Sequence, residues 1–202
     1  MKVPACETLF GYEKDWWQRG FKNIAGVDEA GRGPLAGPVV AACVVFDRQN
    51  IIEGVYDSKC LSYSEREKLF DIIISKCVSY GVGIVENDVI DEVNILNATK
   101  IAMKLAIEKV MPDVHCVFID GNINLLLSVP TVSIVRGDQK SFSVACASII
   151  AKVTRDRIME KLHKEYPCYE WHKNKGYPTK AHREAIRKFG HSPYHRMSFN
   201  LL

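Results

Sequence analysis

The run Val39-Val40-Ala41-Ala42-Cys43-Val44-Val45-Phe46 is eight residues long and contains no polar side chain. It is rich in β-branched residues, which favour strands. A strand with one wet face alternates apolar and polar residues, and this one does not. Both of its faces must therefore be covered, which calls for a sheet with helices on either side. The wider apolar stretch, residues 34–46, is too short to span a bilayer and contains Gly37 and Pro38, so it is a buried strand rather than a membrane segment. A chain of 202 residues suffices for one domain with a real core.

The rest of the sequence supplies the helices. Residues 1–22 form a short helix or arm, packed down by Trp16 and Trp17. Residues 23–29 are a strand, followed by a glycine-rich turn over 30–38, and residues 51–55 are a possible short strand. Ser62 and Glu65 have capping-box spacing, and Leu69, Ile72 and Ile73 continue a helical stripe. Residues 80–85 are a strand, 94–110 a helix, 115–120 and 131–135 strands, 141–164 a long helix, and 179–189 a last short helix. Strands first, then alternating strands and helices, make an α/β sandwich with a mixed sheet. A small helical C-terminal part is expected from about residue 160.

The seven cysteines are odd in number and include no C-x-x-C pair, which fits neither a disulfide framework nor a zinc knuckle. MKVPACETLF lacks the apolar run of a secretory signal, so a cytoplasmic protein is expected. The net charge of +3 conceals an asymmetry: residues 152–196 hold twelve Lys and Arg against five Asp and Glu. That segment is either a surface for an anionic polymer or a basic solvated face, and composition does not decide between them.

Three places carry acids that could do chemistry. Asp28 and Glu29 end a strand and run into Gly31-Arg32-Gly33. Successive strand side chains face opposite ways, so only a bend or the strand's end brings both acids to one point. The two glycines allow the backbone to approach a ligand closely. Asp120 follows a buried strand, where open α/β sheets place ligands, although Asp-Gly also makes a simple turn. Asp138 precedes the long helix, where an acid can simply cap it. Gathered together, the four would repel one another, and a divalent ion that prefers oxygen, Mg²⁺ or Mn²⁺, would relieve that repulsion.

The motifs V-D-E-A-G-R-G-P-L-A-G-P-V-V-A-A, D-S-K (residues 57–59), I-D-G-N, G-D-x-K-S, A-S-I-I-A-K-V-T-R-D-R (147–157) and H-K-N-K-G-Y-P-T-K (172–180) occur in that order. This series resembles the type 2 ribonuclease H family, in its bacterial ribonuclease HII branch, over nearly the whole chain after residue 23. The resemblance implies a ribonuclease H-like fold: a mixed five-stranded sheet flanked by helices, with a small C-terminal helical extension. An arm over 1–22 would precede a catalytic domain over 23–202. It implies Asp28, Glu29, Asp120 and Asp138 as catalytic carboxylates and metal ligands for Mn²⁺ or Mg²⁺. It further implies that Gly31, Arg32 and Gly33 contact the ribose 2′-hydroxyl and that Tyr177 stacks at the ribonucleotide–deoxyribonucleotide junction. Lys59 and Lys180 are expected to contact substrate. The implied activity is two-metal hydrolysis of RNA–DNA hybrids and of ribonucleotides embedded in duplex DNA, leaving 3′-hydroxyl and 5′-phosphate ends.

The 2′-hydroxyl separates RNA from DNA, and a turn of backbone donors suits its recognition. Basic residues through Lys180 and Arg183 would hold phosphates without reading sequence. A hybrid-binding module without activity would be expected to lack a core carboxylate, and all four are present. The ribonuclease HIII branch carries an extra N-terminal domain, for which twenty-odd residues before the first strand leave no room. Ser148 is expected to pack against the sheet, and His191 and His195 to belong to a packed tail rather than a zinc site. Arg155 and Arg157 either touch nucleic acid or pair with Asp156 and Glu160. Residues 198–202 show no Gln-led aromatic clamp-binding motif, so no protein partner is inferred and a monomer is expected.

Overall fold

The structure, a computed structural model, describes residues 9–49, 52, 54–55, 61–111 and 114–202. Five strands, β1 (Ile24–Ala30), β2 (Val39–Phe46), β3 (Ser79–Val85), β4 (Cys116–Asp120) and β5 (Thr131–Ile134), form one sheet in the order β3-β2-β1-β4-β5. β1 pairs antiparallel with β2 and parallel with β4, so the sheet is mixed. All eight residues of β2 are buried. Two apolar layers account for that. Ala42, Val44 and Phe46 face Phe142, Val144 and Ile149, while Ala41, Cys43 and Val45 face Ala98, Ala102 and Met103.

The first layer is covered by α1 (Gly11–Gln18), α2 (Tyr63–Lys76) and α4 (Phe142–Glu165), the second by α3 (Asn87–Glu108). α2 begins with the expected capping box: Ser62 Oγ accepts from Glu65 N at 3.3 Å, and Glu65 Oε2 accepts from Ser62 N at 2.7 Å. α3 starts earlier than its periodicity suggested. At Asn94 the backbone leaves the helix (φ 66°, ψ 163°), and the Asn94 side chain accepts from Leu96 N and Asn97 N at 3.0 and 3.1 Å. Asn94 thus caps the longer second part, and a separate helical segment over 87–93 precedes it. Of the possible strand over 51–55, only 52, 54 and 55 are described, and none of these lies in a strand.

α4 approaches β1 very closely. A Cβ on Gly26 would lie 2.0 Å from the Ser143 carbonyl carbon, so glycine is what lets the helix start there. The N-terminal helix contributes Glu13, fully buried, whose Oε1 accepts from Ser141 Oγ (2.5 Å), Ser143 Oγ (2.8 Å) and Ser143 N (3.0 Å) at the start of α4. Burial pushes the Glu13 carboxyl up, against those hydrogen bonds.

After α4 come α5 (Trp171–Asn174) and α6 (Lys180–Phe189), which share a third apolar cluster with Leu35, Ala36 and Met159. The aromatic segment 166–177 is therefore partly interior: Trp171 is fully buried and stacks on Tyr169 with centroids 5.0 Å apart. Among the described residues no helix is long and apolar enough to cross a membrane.

Candidate active site

Pairing of β1 with β4 ends at Val27↔Ile119, so Asp28 and Asp120 stand side by side just past it, at the same end of two parallel strands. There a cleft of about 400 Å³ is lined by Asp28, Glu29, Gly31, Arg32, Gly33 and Asp120, together with Arg66, Ser148, Lys152 and Tyr177. The strand end resolves the alternation problem. Asp28 faces α4, and Glu29, although on the other face of β1, reaches the cleft where β4 no longer pairs with β1.

The electrostatics are those of crowded acids. Asp28 is held well above the usual carboxylate range, first by burial, then by the charges of Glu29 and Asp120; hydrogen bonds from Ser148 and from Glu29 N (2.7 Å) oppose this. Glu29 is also raised, mainly by burial, with Arg32 acting against it through a 3.3 Å ion pair. Glu29 Oε2 is buried without a hydrogen-bond partner. An orphaned carboxylate oxygen among acids that repel one another is the chemistry of a site for a hard divalent cation. The acids do not converge on one point: among the described residues, no group of three His, Cys, Asp or Glu is arranged to hold an ion. Asp28 Oδ1 accepts from Glu29 N and Asp120 Oδ1 accepts from Gly137 N, so one oxygen of each carboxylate already has a backbone partner.

Asp138 does not line the cleft. It is 3% exposed in the 3₁₀ turn Gly137–Gln139, next to Asp120. Nor does it cap α4, because Ser141 does so by accepting from Val144 N. Tyr177 stays 42% exposed, and its ring faces Gly33, where an added Cβ would meet Cε1 at 3.6 Å. Lys180 opens α6 with an exposed side chain 3.9 Å from Glu184, away from the cleft lining. Lys59 lies outside the described residues.

One expectation gains a detail and another needs correcting. Ser148 packs on the sheet but also hydrogen-bonds Asp28 in the cleft. Its spacing of four from Lys152 puts both on one face of α4, a signal that the sequence did carry. Arg155 meets neither nucleic-acid surface nor a carboxylate in contact; it is buried and donates to backbone carbonyls, as does Arg196. Burial pushes Arg155 down to about 10 and Arg196 to about 9, so both remain cations at neutral pH. Arg157 pairs with Glu67, while Asp156 takes Lys152 and Glu160 takes Lys175.

A mixed sheet in this order, with acids at the shared end of β1 and β4, defines a ribonuclease H-like α/β protein. The ribonuclease H2 of Pyrococcus horikoshii OT3 superposes with a TM-score of 0.75 at 31% identity, over 89% of this chain and 94% of that one. The family model described as ribonuclease HII matches residues 25–202. The ribonuclease HII of Acetivibrio thermocellus is 55% identical over 93% of this chain and 73% of its own. That of Caldicellulosiruptor bescii is 50% identical over 98% of this chain and 97% of its own. The chain belongs to the ribonuclease HII family.

Proposed function

We propose that this chain is an endoribonuclease that hydrolyses the RNA strand of RNA–DNA hybrids and cuts duplex DNA at embedded ribonucleotides. The observation that carries this reading is one cleft shared by Asp28, Glu29 and Asp120 with the Gly31-Arg32-Gly33 loop and Tyr177. Family membership supports it. Asp28, Glu29 and Asp120 would hold divalent cations, Mg²⁺ or Mn²⁺, with Asp138 behind Asp120 completing the set. Bound there, such ions supply Lewis-acid stabilisation of the attacking and leaving oxygens of a phosphodiester displacement.

The residues of the chain divide the remaining work. Glu29 and Asp28 crowd two carboxyl groups at the cleft floor, and a bound cation would offset their mutual repulsion so that phosphate can enter. Gly31, Arg32 and Gly33 contact the ribose 2′-hydroxyl, and Tyr177 packs on the next sugar. Lys152 and Arg66, at the cleft wall, attract the backbone and position it without reading bases. Hydrolysis leaves a 3′-hydroxyl and a 5′-phosphate. The arm over 1–22 and catalytic unit over 23–202 are part of the same proposal.

The test is cleavage of labelled duplexes, one with a single ribonucleotide and one a long hybrid, with each metal in turn. Excess EDTA is expected to stop cutting while hybrid binding persists, and Mg²⁺ or Mn²⁺ to restore it. Zn²⁺, which favours lower coordination, is expected to substitute poorly. Full activity in excess chelator overturns the reading.

A further inference from the structure

The loop that carries Gly31-Arg32-Gly33 is gripped from inside the protein by two arginines. Arg155, on α4, is 1% exposed and donates from Nε to Pro38 O (3.0 Å), from Nη2 to Ala36 O (3.0 Å) and from Nη1 to Lys175 O (2.9 Å). Arg196, fully buried in the C-terminal tail, donates from Nε to Gly37 O (2.9 Å), from Nη1 to Pro34 O (2.8 Å) and Arg32 O (3.2 Å), and from Nη2 to Gly31 O (2.7 Å). The carbonyls of Gly31, Arg32, Pro34, Ala36, Gly37 and Pro38 thus all turn inward.

In a planar trans peptide the C=O and the following N–H point opposite ways. With the carbonyls of Gly31 and Arg32 drawn in by Arg196, the N–H groups of Arg32 and Gly33 point outward, on residues that line the cleft. Arg155 adds a second constraint, because it alone of the two reaches both segments of the cleft wall. It holds Lys175 O, two residues before Tyr177, and its guanidinium lies 5.9 Å from the Tyr177 ring centroid. A Cβ on Gly31 would fall 2.2 Å from Arg155 Nε, so glycine there makes room for the guanidinium as well as for a φ of +101°.

We propose that Arg155 is a positioning residue for ribose recognition, which with Arg196 turns the donors of the Gly31-Arg32-Gly33 loop to the cleft and fixes their distance from Tyr177. The inference rests on the proposed function, since it assumes that the cleft takes a ribonucleotide strand. A planar fork can span three carbonyls on two segments; a lysine ammonium is a single point and cannot. Charge alone would be served by either residue, so the arginine-to-lysine exchange separates geometry from electrostatics.

The experiment measures binding in excess EDTA, so that neither cleavage nor metal enters. The probes are two labelled duplexes of one sequence, all-DNA and with a single ribonucleotide. The wild-type chain is expected to prefer the ribonucleotide duplex. Arg155→Lys is expected to reduce that preference at least fivefold while all-DNA affinity changes less than twofold. Arg157→Lys, on the same helix but paired to Glu67, is the control and is expected to keep the preference. Should Arg155→Lys not fold, Arg155→Gln removes the buried charge and retains one donor group, and is expected to show the same selective loss. Undiminished preference in a folded Arg155 variant overturns the proposal, as does parallel loss on both duplexes with a lowered thermal midpoint. If the wild-type chain binds both duplexes equally while cutting hybrids normally, the positioning role falls and the nuclease reading stands. If it neither prefers nor cuts ribonucleotide strands, both fall.

Discussion

Asp120 Oδ1 accepts a hydrogen bond from the backbone N–H of Gly137 at 2.6 Å. This single bond ties the end of β4 to the turn that carries Asp138. The approach is close: a Cβ at position 137 would lie 3.2 Å from the same oxygen and 3.1 Å from Val144 Cγ1. The carboxylate therefore has two separable roles. As an acceptor it shapes the turn, and as an anion it adds to the negative field on Asp28 and Glu29.

Asp120→Asn separates those roles. The amide oxygen can still accept from Gly137 N, so the fold is expected to persist, with a metal-free thermal midpoint equal to or above the wild type's. The charge is gone, and cleavage is expected to fall at least about a thousandfold, in line with several kcal/mol of lost transition-state stabilisation. Near-normal turnover by the variant would reduce Asp120 to a turn former. Single-turnover cleavage and a melting curve in EDTA decide it.

The C-terminal tail carries a pH dependence with a definite sign. His182 donates from Nδ1 to Tyr177 O (2.9 Å) and accepts at Nε2 from Trp171 Nε1 (3.0 Å). His195 accepts at Nδ1 from Ser192 N (2.9 Å), which places its proton on Nε2, 3.2 Å from His182 Nε2. Both rings are thus held neutral, and His195 is pushed down to about 4, first by burial and then by His182. Folding favours the neutral ring, so its contribution is complete above about pH 6.5 and is lost as pH falls toward 4. The shift corresponds to roughly 3 kcal/mol at most. Buried Glu13, whose carboxyl is raised, works the other way, so a difference measurement is needed. His195→Gln is expected to melt below the wild type at pH 7, with the gap narrowing steadily to pH 4. Parallel midpoint curves across that range contradict the assignment.

The sequence made the sheet and most helices legible because each depends on a local pattern: the unbroken apolar run of β2, the Ser62–Glu65 box, the stripe of α3. It made Asp28, Glu29 and Asp120 legible because acids at strand ends are local too. What it hid was long-range. Nothing near Arg196 says that its guanidinium will meet carbonyls about 160 residues earlier in the chain. Likewise, Glu13 capping the start of α4 from the N-terminal segment has no local signature. Asp138 fell between these cases. Its position before a helix suggested a cap, but the Ser141 hydroxyl was one turn better placed, and only the pairing of β4 with β5 brings its turn beside Asp120.

Gly26 is the tightest of the close approaches that position the site. Its missing side chain is replaced by the backbone of α4, with the Ser143 carbonyl carbon and oxygen 2.0 and 2.3 Å from where a Cβ would sit. Backbone cannot rotate away, so Gly26→Ala must displace the start of the helix that carries Ser148, Lys152 and Arg155. A loss of about 3 kcal/mol or more is expected, at the upper end for overpacking. Gly11→Ala, where nothing lies within 4 Å, is the matched control and is expected to change stability by less than about 0.5 kcal/mol. Denaturant midpoints measure both, and a Gly26→Ala chain as stable as the control contradicts the packing argument.

Tyr177 separates recognition from chemistry. Its ring is 42% exposed at the cleft, beside Gly33 and near the Arg155 guanidinium, while its carbonyl is anchored by His182. The backbone is therefore fixed and the ring face is offered to the cleft. If that face packs on the sugar at the junction, Tyr177→Ala is expected to lower cutting at a single ribonucleotide roughly ten- to a hundredfold, since such stacking is worth about 1–3 kcal/mol. Tyr177→Phe keeps the ring and is expected to cost much less. Neither change touches a carboxylate, so Mn²⁺ affinity is expected to stay within twofold of the wild type. The competing role is packing, in which the ring holds the C-terminal helices on the core. Its 42% exposure leaves a ring face open to the cleft, whereas a residue serving packing alone would be covered on both faces. Under packing alone, the Tyr177→Ala chain would melt lower and lose activity on long hybrids and single ribonucleotides equally. Thermal midpoint, Mn²⁺ binding and cleavage of both substrates, measured on the same preparations, distinguish the two. A selective loss at the single ribonucleotide with an unchanged midpoint is the expected result, and equal losses that track a lowered midpoint reject it.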